Sequence, residues 1–127
     1  MGTIGIGIDL VHIPRMEGVA HRWGGRFLQR VFTERERIYC LGHRRPAPHL
    51  ASRFAVKEAV IKALGLTRDD PFCWREIETL NDASGKPQVC LTGQIGGYAD
   101  ARGVRRVHVS ITHDHHYAIA QVVLEGA

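Results

Sequence analysis

Residues 4–10 read IGIGIDL, and this strict alternation predicts a β-strand with two very different faces. One face is entirely aliphatic, whereas the other carries two glycines followed by the carboxylate of Asp9. Glycine inside a strand often marks the close approach of another backbone or of a ligand. We therefore expect Asp9 to stand on the open, non-aliphatic face, near the end of the strand.

The second informative stretch is residues 50–64, which predicts the longest helix because it lacks interior glycine and proline. Gly65 follows it as a C-cap. Apolar side chains nearly encircle this helix, which is typical of a central, buried helix. Its charged residues are therefore conspicuous: Arg53, Lys57, Glu58 and Lys62. Glu58 and Lys62 are four residues apart and share one face.

The other segments of the sequence predict shorter helices and strands. Residues 33–36 (TERE) form a capping box that begins a helix ending near Gly42. The other predicted elements are short helices over 15–22 and 26–31, separated by 23–25, a hairpin of strands 76–80 and 87–91, a helix over 92–102, and strands 107–112 and 117–124. This order predicts a single mixed α+β domain over residues 1–127, with the central helix packed on an antiparallel sheet.

The length and the charge of the chain limit the classes of function that it can have. The chain has 127 residues, which fits one domain and one modest core. Lys and Arg number 17 against 13 Asp and Glu, a formal charge of +4. Residues 1–62 carry 11 basic and 5 acidic groups, whereas residues 63–127 carry 6 and 8. A basic first half suggests an acidic partner: nucleic acid, an anionic membrane, phosphate or an acidic protein.

The sequence excludes several classes of protein. No apolar run approaches the ~20 residues of a membrane span, and the N-terminus has no basic segment typical of a secretory signal. Gly2 does not predict myristoylation, because Ile6 stands where that motif needs Ser or Thr. Three widely spaced cysteines form neither a disulfide framework nor a zinc ribbon, so we expect reduced thiols in the cytoplasm.

Each polar feature has an ordinary explanation when taken alone. Gly5-x-Gly7 lacks the third glycine of a dinucleotide fingerprint, and the histidines of segment 113–116 are better explained as a polar turn than as a zinc site. Glu58 with Lys62 is by default a surface ion pair, and Asp9 a strand-end cap. Together, two carboxylates and nearby cations suit Mg²⁺ holding phosphates, which indicates phosphoryl or pyrophosphate chemistry.

Two sequence signatures then resemble a known family. Residues 5–15 (GIGIDLVHIPR) and 53–65 (RFAVKEAVIKALG) are similar to the two signatures of holo-(acyl-carrier-protein) synthases, the small trimeric bacterial 4′-phosphopantetheinyl transferases. Residues 85–87 and 109–113 resemble two further family segments. The resemblance runs nearly end to end, although residues 66–70 depart from the Thr-Gly that usually follows the second signature.

The resemblance implies a reaction and its residues. The enzyme would move 4′-phosphopantetheine from coenzyme A to a serine of an apo acyl carrier protein, releasing adenosine 3′,5′-bisphosphate, in fatty acid or polyketide biosynthesis. Asp9 and Glu58 would bind Mg²⁺ and act in catalysis together with Lys62, which would sit on the pyrophosphate. The implied substrate-binding residues are Arg53, Lys57, Lys62, Gly65, Lys86, Pro87, Thr112 and His113.

The resemblance also implies partners. The chain would form a cytoplasmic homotrimer with sites between subunits, and it would bind neither nucleic acid nor membrane. The helix that starts at Arg15 would dock an acidic carrier protein through Arg15, Arg22, Arg26, Phe27 and Arg30. Two alternatives remain: a nucleic-acid-binding module, suggested by the arginine-rich half, and a non-catalytic carrier-binding homologue.

Overall fold

A computed structural model describes residues 2–127, in which four helices and five strands follow the predicted order. Their bounds are β1 Gly2–His12, α1 Ile13–Val31, α2 Glu34–Leu41, α3 Ala47–Leu64, a 3₁₀ turn Trp74–Glu76, β2 Ile77–Asn81, β3 Pro87–Leu91, α4 Gly93–Ala101, β4 Val104–His113 and β5 Tyr117–Gly126. No helix within residues 2–127 is long and apolar enough to cross a bilayer.

The strands form two antiparallel sheets, one of three strands in the order β1-β5-β4 and one a hairpin of β2 and β3. Helix α3 lies against the three-stranded sheet, and its small side chains pack on the inward side chains of β5. Val56, Ala59 and Val60 of α3 are completely buried, as are Val122 and Leu124 of β5. The predicted arrangement of a central buried helix on an antiparallel sheet is therefore confirmed.

The glycines of β1 allow its backbone to touch the backbone of α3. A Cβ atom placed on Gly5 would lie 2.0 Å from the carbonyl oxygen of Ala63, and one on Gly7 would lie 1.9 Å from that of Ala59. No side chain fits at such distances, so the close approach expected from the sequence is confirmed. Its partner is the helix backbone rather than a ligand.

This contact also reverses the expected orientation of β1. Because the glycine face admits the helix, it becomes the inner face, and the Asp9 side chain on that face is only 16% exposed. The expectation that Asp9 stands on an open face is therefore wrong. The aliphatic face is the open one in the single chain: Ile6 is 64%, Ile8 58% and Leu10 56% exposed.

Local signals explain where the helices begin and end. Helix α1 is interrupted at Gly24, whose φ of 58° breaks the helix within the predicted 23–25 interruption. The capping box of α2 forms as predicted between Thr33 and Glu36. Helix α3 begins at Ala47, three residues before the predicted start, because prolines are tolerated in a first helical turn. It ends at Gly65, which adopts a φ of 69°.

Candidate active site

The contact between β1 and α3 brings the three predicted catalytic residues together. Asp9 lies two residues beyond Gly7, and on α3 Glu58 and Lys62 lie within one turn of each other. The Lys62 ammonium donates to Asp9 Oδ1 at 2.9 Å and to the carbonyl oxygen of Ile8 at 2.9 Å. The site is thus held by one lysine that bridges helix and strand.

The electrostatics of this site suit a divalent cation. Burial and the neighbouring Asp9 carboxylate raise the pKa of Glu58 above its ordinary value, and the Lys62 ammonium partly offsets this. Two carboxylates that repel each other across a partly buried site gain from a hard cation between them. Residues 2–127 contain no group of three or more His, Cys, Asp or Glu side chains arranged to hold a metal. Asp9 and Glu58 fit Mg²⁺, which takes one or two carboxylates and completes its shell with water and phosphate oxygens.

A second cleft of about 480 Å³ lies between α3, the β2–β3 turn and β4. We call it the Arg53 cleft. It brings together four of the predicted substrate-binding residues, which are Arg53, Lys86, Pro87 and His113. Thr112 is exposed and does not line this cleft, although its neighbours Ile111 and His113 do.

Arg53 brings a buried positive charge to this cleft. The residue is only 4% exposed, its guanidinium donates to Asn81 Oδ1 at 3.0 Å, and it stacks 4.1 Å from the Tyr39 ring centre. Its Nε is buried without a hydrogen-bond partner, and no carboxylate of residues 2–127 forms an ion pair with it. Buried charges are normally paired, so an anionic ligand is the partner that this cation lacks.

Lys57 and Gly65 have different roles from those predicted. Lys57 is completely buried, and its ammonium donates to Glu36 Oε1 at 2.8 Å and to the carbonyl oxygens of Trp74, at 3.2 Å, and Ile77. These three acceptors use all three N–H groups, so the expectation that Lys57 binds substrate is corrected. The backbone N–H of Gly65 donates to carbonyls of α3 and ends that helix, which leaves no free donor for a phosphate.

Sequence reasoning missed the partner of Lys57 and part of the cleft wall. Glu36 was assigned only to the capping box, yet it is completely buried and pairs with Lys57. The sequence did offer one signal for this pair. Lys57 lies in a helix that apolar side chains nearly encircle, and a buried ammonium requires an acceptor. His49 and Tyr39, which also line the Arg53 cleft, carried no comparable signal.

The predicted carrier-docking residues lie along α1. Arg26, Phe27 and Arg30 line a cleft of about 620 Å³ together with Val19 and Trp23. The Arg22 guanidinium lies 5.4 Å from the Trp23 ring centre. This surface, which we call the α1 surface, therefore combines exposed arginines with apolar side chains.

A further cleft of about 380 Å³ connects the α1 surface to Asp9. It is lined by Asp9 and by Arg15 and Met16 of α1, and it shares Val19 and Phe27 with the larger cleft. A molecule seated on α1 thus reaches Asp9 along a continuous depression.

Comparison with known proteins identifies the family. Residues 5–122 match the model of the 4′-phosphopantetheinyl transferase superfamily. A holo-[acyl-carrier-protein] synthase of Protochlamydia amoebophila is 46% identical over 121 residues, which cover 95% of this chain and 97% of that protein.

Solved structures agree in fold. The holo-[acyl-carrier-protein] synthase of Neisseria meningitidis superimposes with a TM-score of 0.87 at 31% identity, covering 98% of this chain and 99% of that one. The Bacillus anthracis enzyme, solved in complex with CoA (3′,5′-ADP), gives a TM-score of 0.79 at 34% identity, covering 98% of each chain.

The chain belongs to the 4′-phosphopantetheinyl transferase superfamily and, within it, to the holo-[acyl-carrier-protein] synthases. The family resemblance, the α+β fold class and the enzyme class predicted from the sequence are thereby confirmed.

Proposed function

We propose that this chain transfers 4′-phosphopantetheine from coenzyme A to a serine hydroxyl of an apo acyl carrier protein, with Mg²⁺ held by Asp9 and Glu58. The observation that carries the proposal is the ion pair of Asp9 with Lys62, since Asp9 also lines a cleft that it shares with residues of α1. The Arg53 cleft, in which Arg53 Nε has no hydrogen-bond partner, lies about one and a half helical turns from Glu58 along α3.

The Arg53 cleft would hold the adenosine 3′,5′-bisphosphate part of coenzyme A. Arg53, Lys86 and His113 line it, and all three can donate hydrogen bonds to phosphate oxygens. No carboxylate lines this cleft within residues 2–127, so its field favours an anion throughout. We propose that the pyrophosphate extends from there toward Lys62.

The reaction joins the serine oxygen to the β-phosphorus and breaks the bond between that phosphorus and the bridging oxygen of the pyrophosphate. Adenosine 3′,5′-bisphosphate leaves, and the serine gives up its proton. Bound Mg²⁺ would neutralise charge on the pyrophosphate and stabilise the leaving group. Phosphoryl transfer depends mainly on positioning and charge stabilisation, which Asp9, Glu58 and Lys62 provide.

The protein residues have separate tasks in this step. Lys62 would hold the departing phosphate oxygen, since its ammonium already lies at Asp9 and is half exposed to an incoming ligand. We propose that the serine proton passes to Glu58, directly or through a water, because a carboxylate beside the reacting hydroxyl can act as a general base.

The α1 surface would dock the carrier protein. Its exposed arginines offer charge complementary to an acidic partner, and Val19, Trp23 and Phe27 offer apolar contact. Arg15 would lie closest to the reacting serine, because it shares a cleft with Asp9.

We further propose that the enzyme works as a cytoplasmic homotrimer with its sites between subunits. The exposed aliphatic face of β1 supports an association of subunits, because a row of large apolar side chains is costly to leave in water. A cytoplasmic location is supported by Cys40, Cys73 and Cys90, which are all free thiols.

The proposed reaction is tested by incubating the protein with Mg²⁺, coenzyme A and an apo carrier protein, and then weighing the intact carrier. We expect a gain equal to one phosphopantetheine group, which EDTA prevents and added Mg²⁺ restores. Asp9→Asn and Glu58→Gln should each lower turnover on the order of 10²-fold or more.

A matched control is Glu34→Gln, which removes an exposed carboxylate of α2 and should leave turnover unchanged. A folded protein that modifies none of several carriers would contradict the proposed function. Near-normal turnover of Asp9→Asn would contradict the metal assignment alone.

A further inference from the structure

One wall of the Arg53 cleft contains a histidine that stacks on a second histidine. The rings of His43 and His49 lie 3.6 Å apart with an interplanar angle of 24°. His43 Nδ1 lies 2.8 Å from the carbonyl oxygen of Tyr39 and must donate to it, because a carbonyl only accepts. His49 lines the cleft, whereas His43 does not.

The groups that face His49 are cationic or aromatic. Arg53 lines the same cleft, the His113 ring is 6.2 Å away, and the Tyr39 ring is 5.8 Å away. Lys86 adds a further cation to the cleft wall. Two positive charges on rings stacked this closely would repel each other.

In the free protein this environment keeps His49 neutral. Partial burial, followed by the charges of His43, Arg53 and His113, lowers the pKa of His49 to about 4. A phosphate group in the cleft would reverse the balance, because it brings negative charge to a site that contains only positive charge and neutral rings.

We propose that His49 takes up one proton from solvent when a phosphate-bearing nucleotide enters the cleft, so that nucleotide binding is coupled to protonation of the stacked pair. This inference rests on the proposed function, which places the adenosine bisphosphate in this cleft. By linkage, the nucleotide affinity rises as the pH falls from 8 to 6. His49 is thereby a positioning and affinity-setting residue rather than a catalytic one.

The test is calorimetric titration of the purified protein with adenosine 3′,5′-bisphosphate at pH 7, in buffers of different ionisation enthalpy. The ligand's own phosphates exchange protons in every sample, so the proton uptake of His49→Phe is subtracted from that of the wild type. Phe retains ring stacking but cannot titrate. The matched control is His21→Phe, at an exposed histidine of α1 that does not line the cleft.

We expect the wild type and His21→Phe to take up the same number of protons, and His49→Phe to take up fewer. Between pH 8 and 6 the wild-type affinity should rise about tenfold more than that of His49→Phe. The ring ¹⁵N signals of His49 in the wild type should move from neutral imidazole to imidazolium on binding.

Equal proton uptake by the wild type and His49→Phe would overturn the inference and leave the proposed function intact. Neutral ¹⁵N signals of His49 in the saturated wild type would overturn it as well, independently of how the variant folds. No nucleotide binding by folded wild type would contradict the proposed function itself and, with it, the inference.

Discussion

Gly7 sets the distance between the strand that carries Asp9 and the helix that carries Glu58 and Lys62. Any Cβ at this position would lie 1.9 Å from the carbonyl oxygen of Ala59 and 2.9 Å from the backbone N of Ala63. Both obstacles are backbone atoms, which cannot rotate away. A side chain at residue 7 must therefore push the strand from the helix.

We expect Gly7→Ala to destabilise the fold by about 3 kcal/mol or more and to separate Asp9 from Lys62. Urea unfolding measures the first effect and turnover the second. Gly18→Ala is the matched control, because it lies in α1 with nothing within 4 Å of an added Cβ. That control should be neutral or slightly stabilising. Equal stability of the two variants would contradict the backbone contact.

The buried ion pair of Glu36 and Lys57 joins secondary-structure elements to one another. Lys57 belongs to α3, Glu36 to α2, and Glu36 Oε2 also accepts from the backbone N–H of Thr79 in β2 at 3.0 Å. Beside it, Glu78 of β2 accepts from Arg35 of α2 at 2.6 Å. Three elements are thus tied by charge in a region where the sequence suggested a substrate contact.

Lys57→Met should cost about 3–5 kcal/mol of unfolding free energy, because it leaves the Glu36 carboxylate buried without its cation. The double variant Glu36→Leu/Lys57→Met should recover much of that loss. Lys62→Met, at a half-exposed lysine of the same helix, is the stability control. A Lys57→Met protein of normal stability but raised KM for coenzyme A would instead support substrate binding by Lys57.

The α1 surface leads to a prediction that concerns binding of the carrier protein and not of coenzyme A. Arg26→Glu should raise the KM for the carrier protein several-fold and flatten its dependence on salt, because one favourable long-range charge becomes repulsive. The KM for coenzyme A should not change. Arg105→Glu, an exposed arginine of β4, serves as the control. An unchanged salt profile in Arg26→Glu would remove Arg26 from the docking surface.

The elements were predictable because their signals are local. The capping box, the left-handed Gly65 and the interruption at Gly24 all act within a few residues of chain. The orientation of β1 was not predictable, because it depends on a helix about 50 residues later in the chain. Glu36 and His49 were missed for the same reason, since their roles come from distant neighbours.

At the scale of the whole molecule, the aliphatic face of β1 is left uncovered in the single chain. Ile6, Ile8 and Leu10 are each more than half exposed and stand in one row. We expect Ile8→Asp to dissociate the proposed trimer and to lower turnover with it, because a charge would have to be buried between subunits. Size-exclusion chromatography with light scattering measures the assembly.

Ile38→Asp provides the matched control, because Ile38 is 67% exposed on α2 and lies off this face. It should leave the mass of the assembly unchanged. A wild-type protein that is monomeric and fully active would contradict both the trimer and the sharing of sites between subunits.

The contact of β1 with α3 also bears on how this enzyme can change over generations. Because Gly5 and Gly7 meet carbonyls rather than side chains, no compensating substitution on the helix can make room for a larger residue. Side chains elsewhere in the core are free to drift in size together, whereas these two positions are not. The backbone contact therefore fixes the spacing of Asp9 from Glu58 and Lys62. The surface residues that select a carrier protein can change without altering this spacing.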